Sequence, residues 1–463
     1  MVIAGSKIDF YDKSIKAIAE YYRRTPKSRE LYFRAKRFLP GGDTRSVTFF
    51  KPYPLFMAFG VGCKIYDVDG NEYVDFINNY SSQVLGHAHP SVVKAVQERF
   101  AKGNAFAAPV EEAIELASIL CNRIPSIETL RFANSGTEAI MMAIRAARFY
   151  TGRSKIVKVE GGYHGSSTYA EVSIKPDINK IEDYEYPEGI PELGVPTSAA
   201  KEVLIVPFND KETTEKIIKE NKRDIAAFII EPIAFVMGTI PVRKDYLKFV
   251  REITEDMDII LIFDEVVTFR VSEGGAQEFY GITPDMTCLG KMIGGGLPIG
   301  AFGGKEEIMD VFSPEREEHL THSGTFNANA ATMAAGIAVM KEYKKDKIEK
   351  INKLGNTLRK EITKTFEEHG VIAKITGEAS LFNIHFTPNE IYNYRTASTA
   401  DKEIMRLLHI HLLNKGVFMA PRGAGNLSTP MDKKEIKFFI EALNEALSEA
   451  KPYIRKFNPT LLY

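Results

Sequence analysis

The middle of the chain alternates two patterns of hydrophobic and polar positions. Continuous apolar runs predict buried strands at 155–160, 203–208, 225–230 and 258–263. Stretches with helical spacing lie between them, as at 135–150 and 211–221. This alternation is typical of a mostly parallel sheet covered by helices on both faces, and such sheets bind ligands at the carboxyl ends of their strands. The pattern therefore predicts an α/β fold with its site at that edge.

The two ends of the chain show other patterns. Residues 12–38 have apolar positions at helical spacing that stop at Pro40-Gly41-Gly42, and residues 64–76 read as a hairpin with Asp69-Gly70 as its turn. After a helical pattern from Ala328 towards Tyr343, an apolar stripe at 432–450 predicts a closing helix.

A chain of 463 residues exceeds what one simple core supports, so we expect a large domain and a smaller one. Residues 1–75 would form an N-terminal helix and β segment of the smaller α+β domain. Residues 76–333 would form the large domain, and residues 334–463 would complete the smaller one.

Composition excludes several classes of protein. The formal net charge is −1, from 60 basic and 61 acidic residues, which gives no general attraction to nucleic acid or to an anionic membrane. Cys63, Cys121 and Cys288 are widely spaced, form no CxxC pair and predict no disulfide framework. We expect a cytoplasmic protein with no membrane segment and no metal site. The absence of Trp and a charged fraction of 26% suggest a thermophilic source.

Four segments carry candidate chemistry. The first is "NSGTEA" at 134–139, where Ser135, Gly136 and Thr137 open a predicted helix. Hydroxyls and backbone N–H groups at a helix N-terminus form a ready phosphate site. The alternative is an ordinary N-cap, with Glu138 in the first turn.

The second segment, "LIFDEV" at 261–266, is an apolar strand that ends in Asp264. A carboxylate there can pair with a protonated ring nitrogen of a cofactor, or it can simply cap the next element. The third, "LGKMIGGGLPIGAFGG" at 289–304, sets Lys291 beside a glycine-rich run. A buried lysine loses its proton readily and can form a Schiff base. The alternative is a surface lysine before a turn.

The fourth segment is "GGYHGSS" at 161–167, directly after a predicted strand. Tyr163 can lie flat over an aromatic cofactor, and His164 can contact polar groups nearby. The alternative is a loop with incidental aromatic residues.

Together these segments resemble the class III aminotransferases, which are fold-type I enzymes that use pyridoxal 5′-phosphate (PLP). The resemblance covers nearly the whole chain, and it is closest to the glutamate-1-semialdehyde 2,1-aminomutases and to the β-phenylalanine aminotransferase branch. It rests on "YDVDGNEYVDF", "LGHAHP", "NSGTEA", "GGYHG", "LIFDEV" and "LGKMIGGGLPIGAFGG".

The resemblance implies a role for each matched residue. Lys291 would hold PLP as a Schiff base and shuttle a proton, Asp264 would pair with the pyridine nitrogen, and Tyr163 would stack on the ring; these would be the catalytic residues. The implied cofactor-binding set is Ser135, Gly136, Thr137, Tyr163, His164, Asp264, Val266, Lys291 and Thr325. Thr325, in "SGTFNAN", would reach the phosphate of a neighbouring subunit, which implies a homodimer with shared active sites.

Two arginines mark a departure from the aminomutases. The segments "PGGDTRSVTFF" and "APRGAGNLSTP" place Arg45 and Arg422 where the aminomutase pattern has other residues, and they resemble the β-phenylalanine branch. A guanidinium binds a carboxylate in a planar, bidentate way, so both are candidate substrate-binding residues. Either can instead be a structural loop arginine.

The sequence therefore predicts an aminotransferase that moves an amino group from a carboxylate-bearing donor to a 2-oxo acid. The donor would be a β-amino or aromatic amino acid. The alternatives are an isomerase, either the aminomutase or a PLP racemase, and a non-catalytic protein with the same fold.

Overall fold

The computed structural model describes residues 8–178 and 187–463 of the chain. Its strands are β1 (Met57–Val61), β2 (Lys64–Asp67), β3 (Glu72–Asp75), β4 (Thr129–Ala133), β5 (Lys155–Val159), β6 (Val203–Val206), β7 (Ile225–Ile230), β8 (Ile233–Ala234), β9 (Ile240–Pro241), β10 (Ile260–Asp264), β11 (Met286–Gly290), β12 (Gly300–Gly304), β13 (Lys374–Thr376), β14 (Leu381–His385), β15 (Val417–Phe418) and β16 (Ala424–Asn426).

The helices cover both faces of the central sheet and form much of the two ends of the chain. They are α1 (Lys16–Arg24), α2 (Pro26–Ala35), α3 (Pro90–Phe100), α4 (Glu111–Arg123), α5 (Gly136–Thr151), α6 (Thr197–Ala200), α7 (Lys211–Asn221), α8 (Lys244–Asp256), α9 (Gly275–Tyr280), α10 (Glu306–Met309), α11 (Ala330–Glu342), α12 (Lys345–Glu368), α13 (Tyr394–Ser398), α14 (Lys402–Asn414) and α15 (Lys433–Phe457).

Seven strands form the central sheet in the order β4-β12-β11-β10-β7-β5-β6. All neighbours from β11 to β6 are parallel, whereas β12 runs antiparallel to both β11 and β4. The mostly parallel sheet that the sequence predicts is therefore confirmed.

Strand β10 shows why these strands read as continuous apolar runs. Its five residues are all buried. Leu261 and Phe263 join the apolar cluster on one face, which includes Leu247 of α8, whereas Ile262 joins the opposite cluster with Ile144 of α5. Burial on both faces removes the polar alternation that a half-exposed strand would show.

The two ends of the chain meet in a second, four-stranded sheet, in the order β1-β2-β3-β15. Strands β2 and β3 form the predicted hairpin around Asp69-Gly70, and β15 from the C-terminal part adds in parallel to β3. A third sheet, β13-β14-β16, belongs to the C-terminal part alone. Within the described residues, no helix is long and apolar enough to cross a bilayer.

The single helical pattern at 12–38 forms two helices. The backbone leaves the helical region at Thr25, with φ −126° and ψ 44°, and α2 begins at Pro26. Proline has no N–H to donate to the preceding turn and disfavours a helical residue before it, so the chain breaks there. The closing helix α15 continues past residue 450 to Phe457.

Candidate active site

Five side chains with reactive or ligand-binding groups come together at the carboxyl edge of the central sheet. Asp264 ends β10, Lys291 follows β11 directly and Glu231 follows β7. Tyr163 and His164 lie on the loop after β5. Because these strands are parallel neighbours, their carboxyl ends share one edge, as expected for a ligand site in such a sheet.

The predicted phosphate residues lie at the start of α5. Ser135 is its N-cap, and the Ser135 hydroxyl accepts a hydrogen bond from the Glu138 N–H at 3.2 Å. The loop after β5 folds back onto this point, since the Ser166 N–H donates to Thr137 Oγ1 at 3.2 Å. The structure thus brings the first and fourth predicted segments together around the positive end of a helix.

Gly165 permits that close approach. Its φ is +83°, and a Cβ atom there would lie 2.4 Å from Thr137 Oγ1. A side chain at this position would push the loop away from the helix, so only glycine allows both the backbone angle and the contact.

Asp264 is buried and oriented by two contacts. Its Oδ2 lies 2.9 Å from Nδ1 of His164, and its Oδ1 accepts the Val266 N–H at 3.1 Å. Burial lowers the pKa of His164, partly offset by Asp264. A neutral His164 donates from Nδ1 to the carboxylate, which leaves Nε2 as an acceptor; that atom is buried without a partner in the described chain.

Lys291 has an unusual backbone conformation, and its amine has no hydrogen-bond partner among the described residues. Its φ of +49° is in the left-handed region, which a non-glycine residue adopts at a cost and often at a functional site. No other described residue forms a hydrogen bond or ion pair with its amine. Burial lowers the pKa of Lys291 against the opposing effect of Asp264 and Glu231, so a larger fraction is the nucleophilic free amine.

Glu231 is a buried carboxyl group to which the sequence reading assigned no role. It accepts the backbone N–H groups of Tyr163 at 3.4 Å and Phe235 at 3.3 Å. Burial, together with the nearby Asp264, raises its pKa to about 8. The available signal was the apolar run "IAAFII", which Glu231 follows directly, much as Asp264 follows the apolar residues of β10.

Val266 and Tyr163 are placed to cover a flat ligand. A Cβ atom on Gly136 would lie 3.0 Å from Val266 Cγ2, so Val266 sits against the start of α5. Tyr163, in contrast, is 36% exposed and makes no side-chain hydrogen bond within the described chain. A ring that remains exposed in this way is available for stacking.

The two predicted substrate arginines lie on one aromatic ring. The guanidinium carbons of Arg45 and Arg422 are 5.5 and 5.6 Å from the centre of the Tyr80 ring. Arg45 is exposed and donates to Asn79 Oδ1 at 2.7 Å. Arg422 also contacts the Phe235 ring, and its Nε and Nη2 are buried with no acceptor in the described residues.

Tyr80 holds this position through a left-handed turn. Asn78, Asn79, Tyr80 and Ser81 all have positive φ, between 46° and 79°. Tertiary hydrogen bonds fix the turn, because Asn78 Nδ2 donates to the Asn426 carbonyl at 2.9 Å and the Tyr80 hydroxyl donates to the Val47 carbonyl at 2.6 Å. Strain of this kind persists only where the surroundings over-determine it.

Thr325 lies apart from these residues on the described surface. It is exposed and lines a separate hollow with Asn104 and Phe106. Nearby, Asn327 Oδ1 accepts a hydrogen bond at 2.8 Å from Asn134, the residue immediately before Ser135. Its predicted contact with the phosphate of a partner subunit remains a prediction.

These residues fit PLP. The hydroxyls and N–H groups at the start of α5 suit a phosphate, the buried Asp264 suits a protonated pyridine nitrogen, and the uncommitted Lys291 amine suits a covalent bond to the aldehyde. The buried Nε2 of His164, which has no partner in the described chain, is free to accept a hydrogen bond from a bound group.

The family profile described as Aminotransferase class-III matches residues 50–447. This chain belongs to the class III aminotransferase family. The resemblance that the motifs indicated is thereby confirmed.

One curated relative and one solved structure are similar to this chain over most of its length. A curated relative, "Glutamate-1-semialdehyde 2,1-aminomutase" of Methanocaldococcus jannaschii, is 43% identical over 400 residues, or 85% of this chain and 91% of the relative. The solved ω-transaminase from Sphaerobacter thermophilus has a TM-score of 0.89 and 41% identity, covering 93% of this chain and 99% of that one.

Two further solved structures bear on the cofactor and the substrate. A "transaminase with PLP bound" has a TM-score of 0.87 and 34% identity, covering 93% of this chain and 99% of that one. The β-phenylalanine aminotransferase from Variovorax paradoxus has a TM-score of 0.85 and 35% identity, covering 94% and 98%. These likenesses confirm the predicted fold-type I architecture.

Proposed function

We propose that this class III protein is a PLP-dependent aminotransferase whose amino donor carries a carboxylate. The observation that supports it most is the Arg422 guanidinium, which has two buried nitrogens without an acceptor among the described residues. Leaving such donors unpaired costs about 1–3 kcal/mol, and a substrate carboxylate would satisfy them. Burial lowers the pKa of Lys291, and the positive charges of Arg422 and Arg45 lower it further.

Each residue of the site would have a distinct task. PLP, when bound, supplies an electron sink for negative charge on the substrate carbon. Ser135, Gly136 and Thr137 would hold the phosphate. Asp264, kept in place by His164 at 2.9 Å, would hold positive charge on the ring nitrogen.

Lys291 would move the proton. Burial lowers its pKa and so raises the fraction of free amine that can act as a base, and the proton that it takes from the substrate carbon can be returned to another position. Tyr163 and Val266 would restrict the ring to one plane between them. A donor fixed by its carboxylate at Arg422 would then present one hydrogen to Lys291.

Arg45 would assist at the mouth of the site. It contacts the same Tyr80 ring as Arg422 but is exposed and already bonded to Asn79. Two cations beside one aromatic ring favour an anionic group between them. The β-phenylalanine aminotransferase is 35% identical to this chain, which supports a β-amino or aromatic amino acid as the donor and a 2-oxo acid as the acceptor.

The alternative function is the aminomutase reaction. It is favoured by the curated relative of that name, 43% identical over 400 residues. An aminomutase moves the amino group within one substrate and needs no acceptor, whereas an aminotransferase stops after one half-reaction until a 2-oxo acid arrives.

Acceptor dependence decides between the two. We expect a β-amino acid alone to give at most one oxo product per subunit, and added 2-oxoglutarate or pyruvate to restore continuous turnover. The same preparation supplied with glutamate 1-semialdehyde and no acceptor is the matched comparison. Sustained conversion of that compound to 5-aminolevulinate would overturn the transfer reaction in favour of the isomerase.

A further inference from the structure

A cavity of about 960 Å³ opens beside Arg422. Its lining comes from distant parts of the chain, among them the N-terminal segment at Phe50, strand β14 at Asn383, and helix α14 at Met405 and His409. Pockets of 300–1,000 Å³ hold drug-sized ligands. The cavity therefore has room for much more than the carboxylate and amine of a small amino acid.

Two buried residues of this cavity have polar atoms without partners. Asn383 and His409 are each 1% exposed. Across the part of the chain that the structure describes, Asn383 Oδ1 and both ring nitrogens of His409 lack a hydrogen bond. Buried polar groups are nearly always paired, and each unpaired group costs about 1–3 kcal/mol. This cost indicates a ligand that supplies the missing partners.

Asn383 lies next to the residue that follows Arg422, and His409 lines the same cavity from helix α14. A Cβ atom on Gly423, the residue after Arg422, would lie 2.7 Å from Asn383 Oδ1 and 3.1 Å from Met405 Sδ. Met405 and His409 are one turn apart on α14, so they share a face of that helix. The Phe50 ring meets the His409 ring edge-on at 4.9 Å and provides an apolar wall.

The chemistry of these two residues selects a neutral polar group. Burial lowers the pKa of His409 to about 3, so its ring is neutral near pH 7, with one donor and one acceptor nitrogen. Asn383 Oδ1 only accepts. Besides Arg422, the cations that line the cavity are Lys51, Lys175, Lys402 and Arg406; all four are exposed, and Arg406 is paired with Glu403. A ligand group that both donates and accepts, such as a hydroxyl or an amide, satisfies the set.

We propose that Asn383 and His409 form a distal subsite that binds a hydroxyl or amide group at the far end of a donor whose carboxylate binds Arg422. The proposal rests on the carboxylate specificity proposed above and names the substrate class more closely. The donor would be a long-chain amino acid with a neutral polar terminus, held at both ends.

Binding to the holoenzyme tests the subsite without requiring turnover. The probes are ω-hydroxyalkanoates of increasing chain length, each compared by calorimetry with the alkanoate in which a methyl group replaces the hydroxyl. We expect one chain length at which the hydroxy acid binds roughly 3- to 10-fold more tightly, the effect of about one neutral hydrogen bond or slightly more. His409→Leu should remove that preference, and His409→Gln should retain part of it.

His411→Leu is the matched control. His411 is equally buried on α14, but it bonds Glu449 at 3.0 Å and does not line the cavity, so this variant should keep the preference. Absence of a hydroxyl preference at every length in the unmodified enzyme would overturn the subsite, whether or not the variants fold. Tighter binding of dicarboxylates than of hydroxy acids would overturn its neutral character. If the hydroxy acids show this preference but the enzyme transfers no amino group from any amino acid donor, the subsite stands and only the proposed function is contradicted.

Discussion

At the scale of single residues, the proposed amino-transfer chemistry rests on the environments of Asp264 and Lys291. Asp264 is buried and held by His164 and the Val266 N–H. Lys291 has a strained backbone, and no other described residue forms a hydrogen bond or ion pair with its amine. Backbone strain of this kind is often found at functional sites, which supports the role proposed for Lys291.

Asp264→Asn should slow proton removal far more than it weakens donor binding. The carboxylate acts on charge that develops in the transition state, and the loss of one such group costs on the order of 10²–10³ in kcat. Stopped-flow spectroscopy of the donor half-reaction measures this directly.

Asp285→Asn is the control for that substitution. Asp285 is also a buried aspartate next to a central strand, but it pairs with Arg251 and Lys305 outside the site. The control should lose stability and keep its rate. Near-normal proton removal in Asp264→Asn would exclude the proposed role.

Arg422→Ala should lower kcat/KM for carboxylate donors roughly 10- to 100-fold, the effect of losing a charge-assisted hydrogen bond of about 1.5–3 kcal/mol. Arg45→Ala should cost less, since its guanidinium is exposed and screened by solvent. An amine donor that lacks a carboxylate is the internal control, because both variants should use it almost as well as the unmodified enzyme. Equal losses with both kinds of donor would argue for a structural role.

At the scale of elements, the start of α5 and the loop after β5 form one unit. Gly165→Ala would place a methyl group 2.4 Å from Thr137 Oγ1 and strain a backbone with φ +83°. We expect the loop to move off the helix and the affinity for PLP to fall roughly tenfold, consistent with a cost of about 1–3 kcal/mol.

Gly152→Ala separates the backbone strain from the contact. Gly152 ends α5 with φ +67° and has open space around its Cβ position. This variant should melt at a lower temperature and bind PLP normally, as titration of the apoprotein would show. Loss of PLP affinity in Gly152→Ala, or none in Gly165→Ala, would contradict the account.

The sequence predicted elements best where burial alone decides them. Strand β7 and helix α7 occupy 225–230 and 211–221 as expected, because continuous apolar runs and helical stripes are local signals. The left-handed turn at 78–81 was not predictable. Its positive φ values depend on hydrogen bonds to Asn426 and Val47, which are far away in the sequence.

The candidate site divides in the same way. Motifs located Asp264, Lys291 and the start of α5, because each adjoins a strand or a helix that the pattern predicts. Pattern alone could not show that Arg45 and Arg422, 377 positions apart, share the ring of Tyr80. It also gave no reason to single out His409 among the mostly buried residues of α14.

At the scale of the whole molecule, the surface around Thr325 bears on assembly. Thr325 shares a hollow with Phe106, which is 51% exposed, and Phe326 beside it is 59% exposed. Exposed aromatic rings of this size favour a protein contact. We predict a homodimer in which Thr325 completes the phosphate site of the partner subunit.

Sedimentation combined with PLP titration checks this assembly. Phe326→Asp should shift the protein towards monomers and lower activity in proportion, whereas Thr325→Val should remain dimeric and bind PLP more weakly. A monomer with full activity would contradict a shared site.

The account depends most on which lysine binds the cofactor, and two lysines in the described part of the chain have a lowered pKa. Lys158 is buried on β5, and burial lowers its pKa to about 7. Its amine, however, donates to the carbonyls of Ala170 and Val172 at 3.1 and 2.5 Å. The Lys291 amine makes no such hydrogen bond within the described residues, and it lies at the carboxyl edge beside Asp264. Geometry, and not the pKa, therefore selects Lys291.

Borohydride reduction of the PLP-loaded protein, followed by peptide mapping, tests this choice most directly. Reduction makes the bond between the lysine and the cofactor permanent. We predict that the label is found on the peptide that contains Lys291 and that Lys291→Ala yields none. A label on Lys158, or on any other lysine, would contradict the site proposed here.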